Sequence, residues 1–243
     1  MKPTSNPAAT VERNVDAAEI ARFNSWASRW WDEDSEFRPM HRINPHRLNW
    51  IDGLVGLAGK QVLDVGCGGG ILAEAMAHRG ACVTGIDLAE KPLQVAQWHA
   101  QSQQLLMSYF KSGAENWSQD HAERYDIVTC MEILEHVPQP RSVIEACAKM
   151  VKPGGWVFFS TLNRNPLSFL FAIIGAEYLL RILPKGTHHY RKLIKPAELL
   201  MMAESAGLTL RDQRGLGYNP FTQRFRLHRF MGVGYLLAMQ KLV

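Results

Sequence analysis

The run Val62-Leu63-Asp64-Val65-Gly66-Cys67-Gly68-Gly69-Gly70 constrains this chain more than any other stretch. A strand-like apolar segment passes straight into glycines, and the glycines pass into a helical period beginning at Ile71. A strand that turns through glycine into a helix belongs to a sheet whose helices lie on its faces. The flanking sequence agrees. Apolar runs at 61–65, 82–86, 125–130 and 156–161, with a weaker one at 106–110, alternate with helical patterns at 71–78, 91–101 and 141–150. The last helix is stopped by Pro153-Gly154-Gly155. Unbroken apolar strands are expected in a parallel sheet covered on both sides. A helix at 196–206 ending at Gly207 and two further strands, 208–214 and 234–240, complete the sheet. The expected fold class is therefore α/β, a doubly wound and mostly parallel sheet.

Two helices are expected ahead of the first strand. One spans 15–31, where Ile20, Phe23, Trp26 and Trp30 recur at spacings of three and four, and the other runs from Pro45 to Leu57. Residues 1–14 read as a disordered tail, leaving 15–243 as one domain. With 47% of its 243 residues apolar, the chain can bury a sizeable core. Its four cysteines, Cys67, Cys82, Cys130 and Cys147, form no CxxC pair, which fits a reduced, cytoplasmic protein. Cys82 and Cys130 fall in strand-like runs, where a thiol acts as a small hydrophobe. The net charge of +4 suits an anionic surface and does not by itself suggest nucleic acid. The amino-terminal residues lack the apolar centre of a signal peptide, and no apolar stretch reaches the length of a confident membrane span.

The glycine loop can serve a dinucleotide or S-adenosylmethionine, and three details separate them. The dinucleotide fingerprint needs a third glycine at position 71, which is Ile71; the pattern here is Gly66, Gly68, Gly70. Asp64 stands two residues before the first glycine. A carboxylate there favours a cationic amino group and sulfonium and repels a pyrophosphate. Asp87 ends the next strand, about twenty residues on, where a carboxylate accepts hydrogen bonds from ribose hydroxyls. A ligand-free glycine turn is the alternative, and the two acids in register weigh against it. The pattern resembles the class I methyltransferases, which implies a Rossmann-like seven-stranded sheet with 125–128 as its fourth strand.

After that strand stands Cys130-Met131-Glu132-Ile133-Leu134-Glu135-His136-Val137-Pro138. Loops beyond strand ends face ligands in open α/β sheets. The Asn/Asp-Pro-Pro-aromatic motif of enzymes acting on amide or adenine nitrogen is missing, so an oxygen or carbon nucleophile is expected. Glu132, Glu135 and His136 stand at i, i+3 and i+4, one face of a helical turn. Such a set suits Mg²⁺ or another divalent cation that lowers the pKa of a bound phenol. Two alternatives stay open: His136 as general base, or acids that only favour a helix start.

Read as a helix, 167–183 is expected to be apolar almost all round, bounded by Pro166 and Pro184, with Glu177 and Arg181 one turn apart. It is too short and too charged for a good membrane span. Either it is buried over a substrate pocket or it lies in a membrane interface; Arg164, Lys185, Arg191, Lys192 and Lys195 flank it, as anionic lipid would favour. The insert is expected over about 163–195.

A narrower resemblance rests on Ala27-Ser28-Arg29-Trp30-Trp31-Asp32, His41-Arg42-Ile43-Asn44-Pro45, 158–165, Pro184-Lys185-Gly186-Thr187-His188 and Ile194-Lys195-Pro196-Ala197-Glu198-Leu199. These blocks, with the glycine loop and the 130–138 loop, resemble the ubiquinone-biosynthesis O-methyltransferases from about Asn14 to Gln240. The resemblance implies methylation of a 2-polyprenyl-6-hydroxyphenol and of 3-demethylubiquinol. It implies S-adenosylmethionine contacts from Arg47, Gly66, Asp87 and Met131, beside Asp64 and Gly68 of the loop. It implies divalent-metal ligation by Glu132, Glu135 and His136, the residues also expected at the catalytic centre. The expected partners are the prenylated phenol or quinol, an anionic membrane surface and other enzymes of the pathway, with no nucleic acid. The expected location is the cytoplasm, peripheral on the inner face of the plasma membrane. The basic stretch Arg224-Phe-Arg-Leu-His-Arg229 departs from the family. A soluble phenol as acceptor, or a non-catalytic cofactor-binding scaffold, are the other functions compatible with these residues.

Overall fold

Val62 and Leu63 are neighbours on one strand and both are fully buried, yet they belong to different hydrophobic clusters. That arrangement needs helices on both sides of the sheet, and the computed structural model shows them. It describes residues 14–168, 190–219, 222 and 224–243. Two helices lead, α1 (Ala17–Trp26) and α2 (Arg38–Val55). Strand and helix then alternate: β1 (Gln61–Val65), α3 (Ile71–His78), β2 (Cys82–Asp87), α4 (Glu90–Ser102) and β3 (Ser108–Lys111). They continue as α5 (Ala114–Asp120), β4 (Tyr125–Met131), α6 (Pro140–Met150) and β5 (Val151–Leu162). A helical turn α7 (Pro166–Ser168), helix α8 (Pro196–Ser205) and strands β6 (Leu208–Asn219), β7 (Arg224–His228) and β8 (Gly234–Lys241) follow.

The strand order is β3-β2-β1-β4-β5-β8-β6-β7. The first five strands are parallel, while β8 pairs antiparallel with both β5 and β6, and β7 with β6. The order in which successive strands are added reverses between β1 and β4, the crevice where such sheets bind ligands. One cluster packs α6 and α8 on the sheet through Ile144, Cys147 and Leu199; the other packs α2 and α3 through Ile51, Leu72 and Met76.

The structure corrects several boundaries. The sheet has eight strands among the described residues rather than seven. The additional strand, β7, is the basic stretch read only for its charge; its alternation Arg224, Phe225, Arg226, Leu227, His228 has the period of two of a half-covered strand, and exposure alternates with it. Helix α2 begins at Arg38, with Pro39 in its first turn and Pro45 inside it. The start is therefore seven residues earlier than the Pro45 expected from the sequence, although proline suits a first helical position. The buried stripe Ile43, Arg47, Leu48 and Ile51 holds the helix together across the proline instead. Helix α1 ends at Trp26 and gives way to a 3-10 turn, Ala27–Arg29. Helix α5 was not foreseen. All four cysteines are free, and Cys82 is exposed rather than buried. Most of the apolar segment 167–183, and residues 1–13 of the expected tail, lie outside the described residues. Among the described residues no helix is long and apolar enough to cross a membrane.

Candidate active site

The turn after β1 needs glycine for two reasons. Gly66 and Gly68 have φ of 69° and 52°, a region that side chains disfavour. A Cβ at Gly66 would also lie 2.0 Å from Ile133 Cδ1, and one at Gly68 2.1 Å from Trp30 Cζ2. The turn is thus roofed by the loop after β4 and by the segment after α1. Trp30 stacks on Phe37 with ring centroids 4.1 Å apart, and Trp31 Nε1 donates to the Gly69 carbonyl at 2.9 Å.

Asp87, at the end of β2, fixes the turn from the other side. Its Oδ2 accepts the Gly68 N–H at 2.9 Å and its Oδ1 the Ala89 N–H at 2.7 Å. Burial pushes this carboxyl above its ordinary value against those bonds. Asp64, on β1, accepts from Thr129 Oγ1 at 2.6 Å. Burial raises its pKa to about 7 in spite of that bond, and the charge of Asp87 adds to the rise.

Strand β4 delivers Met131, and the chain then breaks direction at Glu132, whose φ is 51°. The residues that follow form a non-helical turn, closed by the His136 N–H to the Ile133 carbonyl at 2.9 Å. The expected helical face therefore does not form. Glu132 pairs with Arg47 and accepts from Ser160 Oγ at 2.6 Å. Glu135 turns into the core, where Thr161 Oγ1 donates to Oε2 at 2.8 Å and Oε1 has no partner among the described residues. Burial raises its pKa. His136 Nδ1 stands 3.1 Å from Glu19 Oε2 on α1. To hold one ion together, Glu132 would have to leave Arg47 and Glu135 would have to leave the core. Among the described residues no group of three or more His, Cys, Asp or Glu side chains is arranged for a metal. The arrangement does not fit a divalent cation on these three residues.

A cavity of about 1250 Å³ is lined by Arg47, Asp64, Gly66, Gly68, Asp87 and Met131 together with Glu132 and His136. Glu135 is the one expected site residue outside that lining. Sequence reading missed Glu19, Trp30, and the Gly113–Glu115 corner, all of which line the same space. Asn14 Nδ2 ties this corner down by donating to Glu115 Oε1 at 2.7 Å. Glu19 left one faint signal. It precedes Phe23, Trp26 and Trp30 by four, seven and eleven positions, an acid inside an aromatic stripe. Burial opposes its ionisation; His136 and the charges of Arg22 and Lys192 outweigh burial and hold it below its ordinary value.

Glycine turn, paired acids at the ends of β1 and β2, and a cavity at the reversal of strand order define a class I S-adenosylmethionine-dependent methyltransferase. A family described as a methyltransferase domain matches residues 50–213. The chain is 58% identical to the ubiquinone biosynthesis O-methyltransferase of Bordetella avium, over 98% of this chain and 99% of that one. It is 58% identical to the protein of the same name from Pseudomonas savastanoi, over 92% and 97%. The fold is shared with magnesium protoporphyrin IX methyltransferase from Synechocystis, solved with bound SAH, at a TM-score of 0.65 and 19% identity over 91% and 94% of the two chains. The chain belongs to the ubiquinone biosynthesis O-methyltransferases.

Proposed function

We propose that this enzyme moves the methyl group of S-adenosylmethionine onto a hydroxyl of 2-polyprenyl-6-hydroxyphenol and of 3-demethylubiquinol. One observation carries the reading: a single cavity holds the donor-binding set and His136 beside an extensive apolar wall. Gly66 and Gly68 let the donor approach the backbone, Asp87 takes its ribose, and Asp64 and Met131 flank it. Arg47 is the residue for its carboxylate, since its Nε lacks a partner among the described residues.

The C–S bond breaks as the phenolate oxygen forms the new C–O bond, leaving a neutral thioether. The phenol proton passes to His136. Glu19 at Nδ1 supports the tautomer in which Nε2 is basic. No step is assigned to a divalent cation, because Glu132, Glu135 and His136 turn to different partners. We also place the protein in the cytoplasm, peripheral on an anionic membrane. Among the described residues two of the flanking basic side chains are paired, Arg164 with Glu198 and Lys192 with Asp16; Arg191, Lys195 and the β7 arginines are the ones we assign to lipid, and Lys185 lies outside the described residues. Labelled methyl transfer to a prenylated catechol, with Mg²⁺ and with chelator, tests the reading. Turnover that survives chelator is expected; turnover abolished by chelator would return the acids and His136 to a metal, and no turnover would remove the substrate class.

A further inference from the structure

We propose that a row of apolar residues crossing β5, β8, β6 and β7 is the groove that takes the isoprenoid tail of the acceptor, with Phe230 and Leu167 as its outer clamp; this rests on the phenol reading above. The row follows from strand register. Leu162 pairs with Gly234, and Gly234 pairs with Leu216 on its other side. Two residues beyond Leu216, on the same face, Tyr218 pairs with Phe225, their rings 4.8 Å apart. Gly234 keeps the floor low, since a Cβ there would lie 3.3 Å from Leu216 Cβ.

The row starts at the reaction centre. Ser160, which donates to Glu132, precedes Leu162 by two positions on β5 and shares its face. It ends in solvent, where Phe230 is 70% and Leu167 36% exposed. Both side chains close over Gly232, where a Cβ would lie 2.6 Å from Phe230 Cε1 and 3.0 Å from Leu167 Cδ2. Leu162, Gly234, Leu216, Tyr218, Phe225, Phe230 and Leu167 all line the cavity that holds the donor site. An apolar strip continuous with a polar centre and, among the described residues, open at its far end suits a ligand with a phenol head and a hydrocarbon tail longer than the pocket.

Geraniol, a ten-carbon isoprenol without the phenol, is the probe. Wild-type protein is expected to bind it by calorimetry. Phe230→Ala and Leu167→Ala are expected to weaken that binding about tenfold, with S-adenosylhomocysteine affinity and melting temperature unchanged. For a geranylated catechol the same variants should raise KM, with no change for unsubstituted catechol. Wild type that does not bind geraniol, or variants that bind it equally well, would overturn the groove. Geraniol bound through Phe230 and Leu167 by an enzyme that methylates neither catechol would leave the groove standing and remove the phenol reading.

Discussion

Arg47 and Glu132, 85 positions apart in sequence, form an ion pair that joins α2 to the loop beyond β4. The arginine side chain is 5% exposed and the glutamate 19%. The pair brings the residue expected at the donor carboxylate against one expected at the acceptor. If Arg47 takes the donor carboxylate as proposed, that carboxylate would compete with Glu132 for the same guanidinium, and occupancy of the donor site would alter the charge that Glu132 presents.

Removing one partner from such a pair strands the other charge. Arg47→Met should lower stability by about 3–5 kcal/mol, read as a fall in denaturation midpoint. The double variant Arg47→Met with Glu132→Met should recover part of that loss, because no uncompensated charge remains. A double variant as unstable as the sum of its single changes would show that the two side chains act independently.

On the proposed reading, Asp87 acts on the donor both directly and through the glycine turn. Asp87→Ala removes a ribose acceptor and also releases the N–H groups of Gly68 and Ala89. Hydrogen bonds to charged groups contribute about 1.5–3 kcal/mol each, so S-adenosylhomocysteine should bind at least tenfold more weakly by calorimetry. Unchanged affinity would remove Asp87 from the donor site.

The glycine turn and the acids beside it were legible because they are local. Gly66, Gly68 and Asp64 lie within five residues and Asp87 one strand later, and all four line one cavity. The acceptor half was not. Glu19 meets His136 across 117 positions, and no periodicity encodes that distance. The 132–136 turn was misread because i, i+3, i+4 spacing presupposes a helix, and the positive φ of Glu132 prevents one. Strand β7 was hidden by its arginines, since an edge strand with one wet face tolerates charge at every second position.

Asp64 gives the donor site a pH dependence with a definite sign. Its carboxyl titrates near 7 in the folded protein and near 3.8 when exposed. Between those values the native state holds the extra proton, so this residue's stabilising contribution is full below about pH 4 and lost as pH rises through 7. Asp64→Asn should remove that part of the slope from a stability-versus-pH curve. Donor binding should show the opposite trend: the cationic sulfonium favours ionised Asp64, so affinity for S-adenosylmethionine should rise from pH 6 to 8. S-adenosylhomocysteine, lacking the sulfonium charge, should show a weaker rise. Equal slopes for the two would mean that Asp64 does not sense the sulfonium.

If His136 takes the phenol proton as proposed, Glu19 acts through it, and its loss should separate chemistry from binding. Glu19→Gln keeps the size of the side chain and a carbonyl acceptor for Nδ1–H, but removes the charge that stabilises an imidazolium once the phenol proton has moved. kcat should fall about tenfold, in the range seen when an orienting acid behind a functional histidine is lost. Donor affinity should not change, because the residues proposed for the donor lie on α2, on β1 and the glycine turn after it, on β2 and on β4 rather than on α1. Stability provides a second readout with its own sign. The folded-state pKa of Glu19 lies below its ordinary 4.5, so its contribution is present above that value and disappears as pH falls through the folded one. Variant and wild type should therefore differ in melting temperature at pH 7 and converge in acid. A stability loss with unaltered kcat would make Glu19 a structural tie between α1 and the β4 loop, and would leave His136 without an orienting acid.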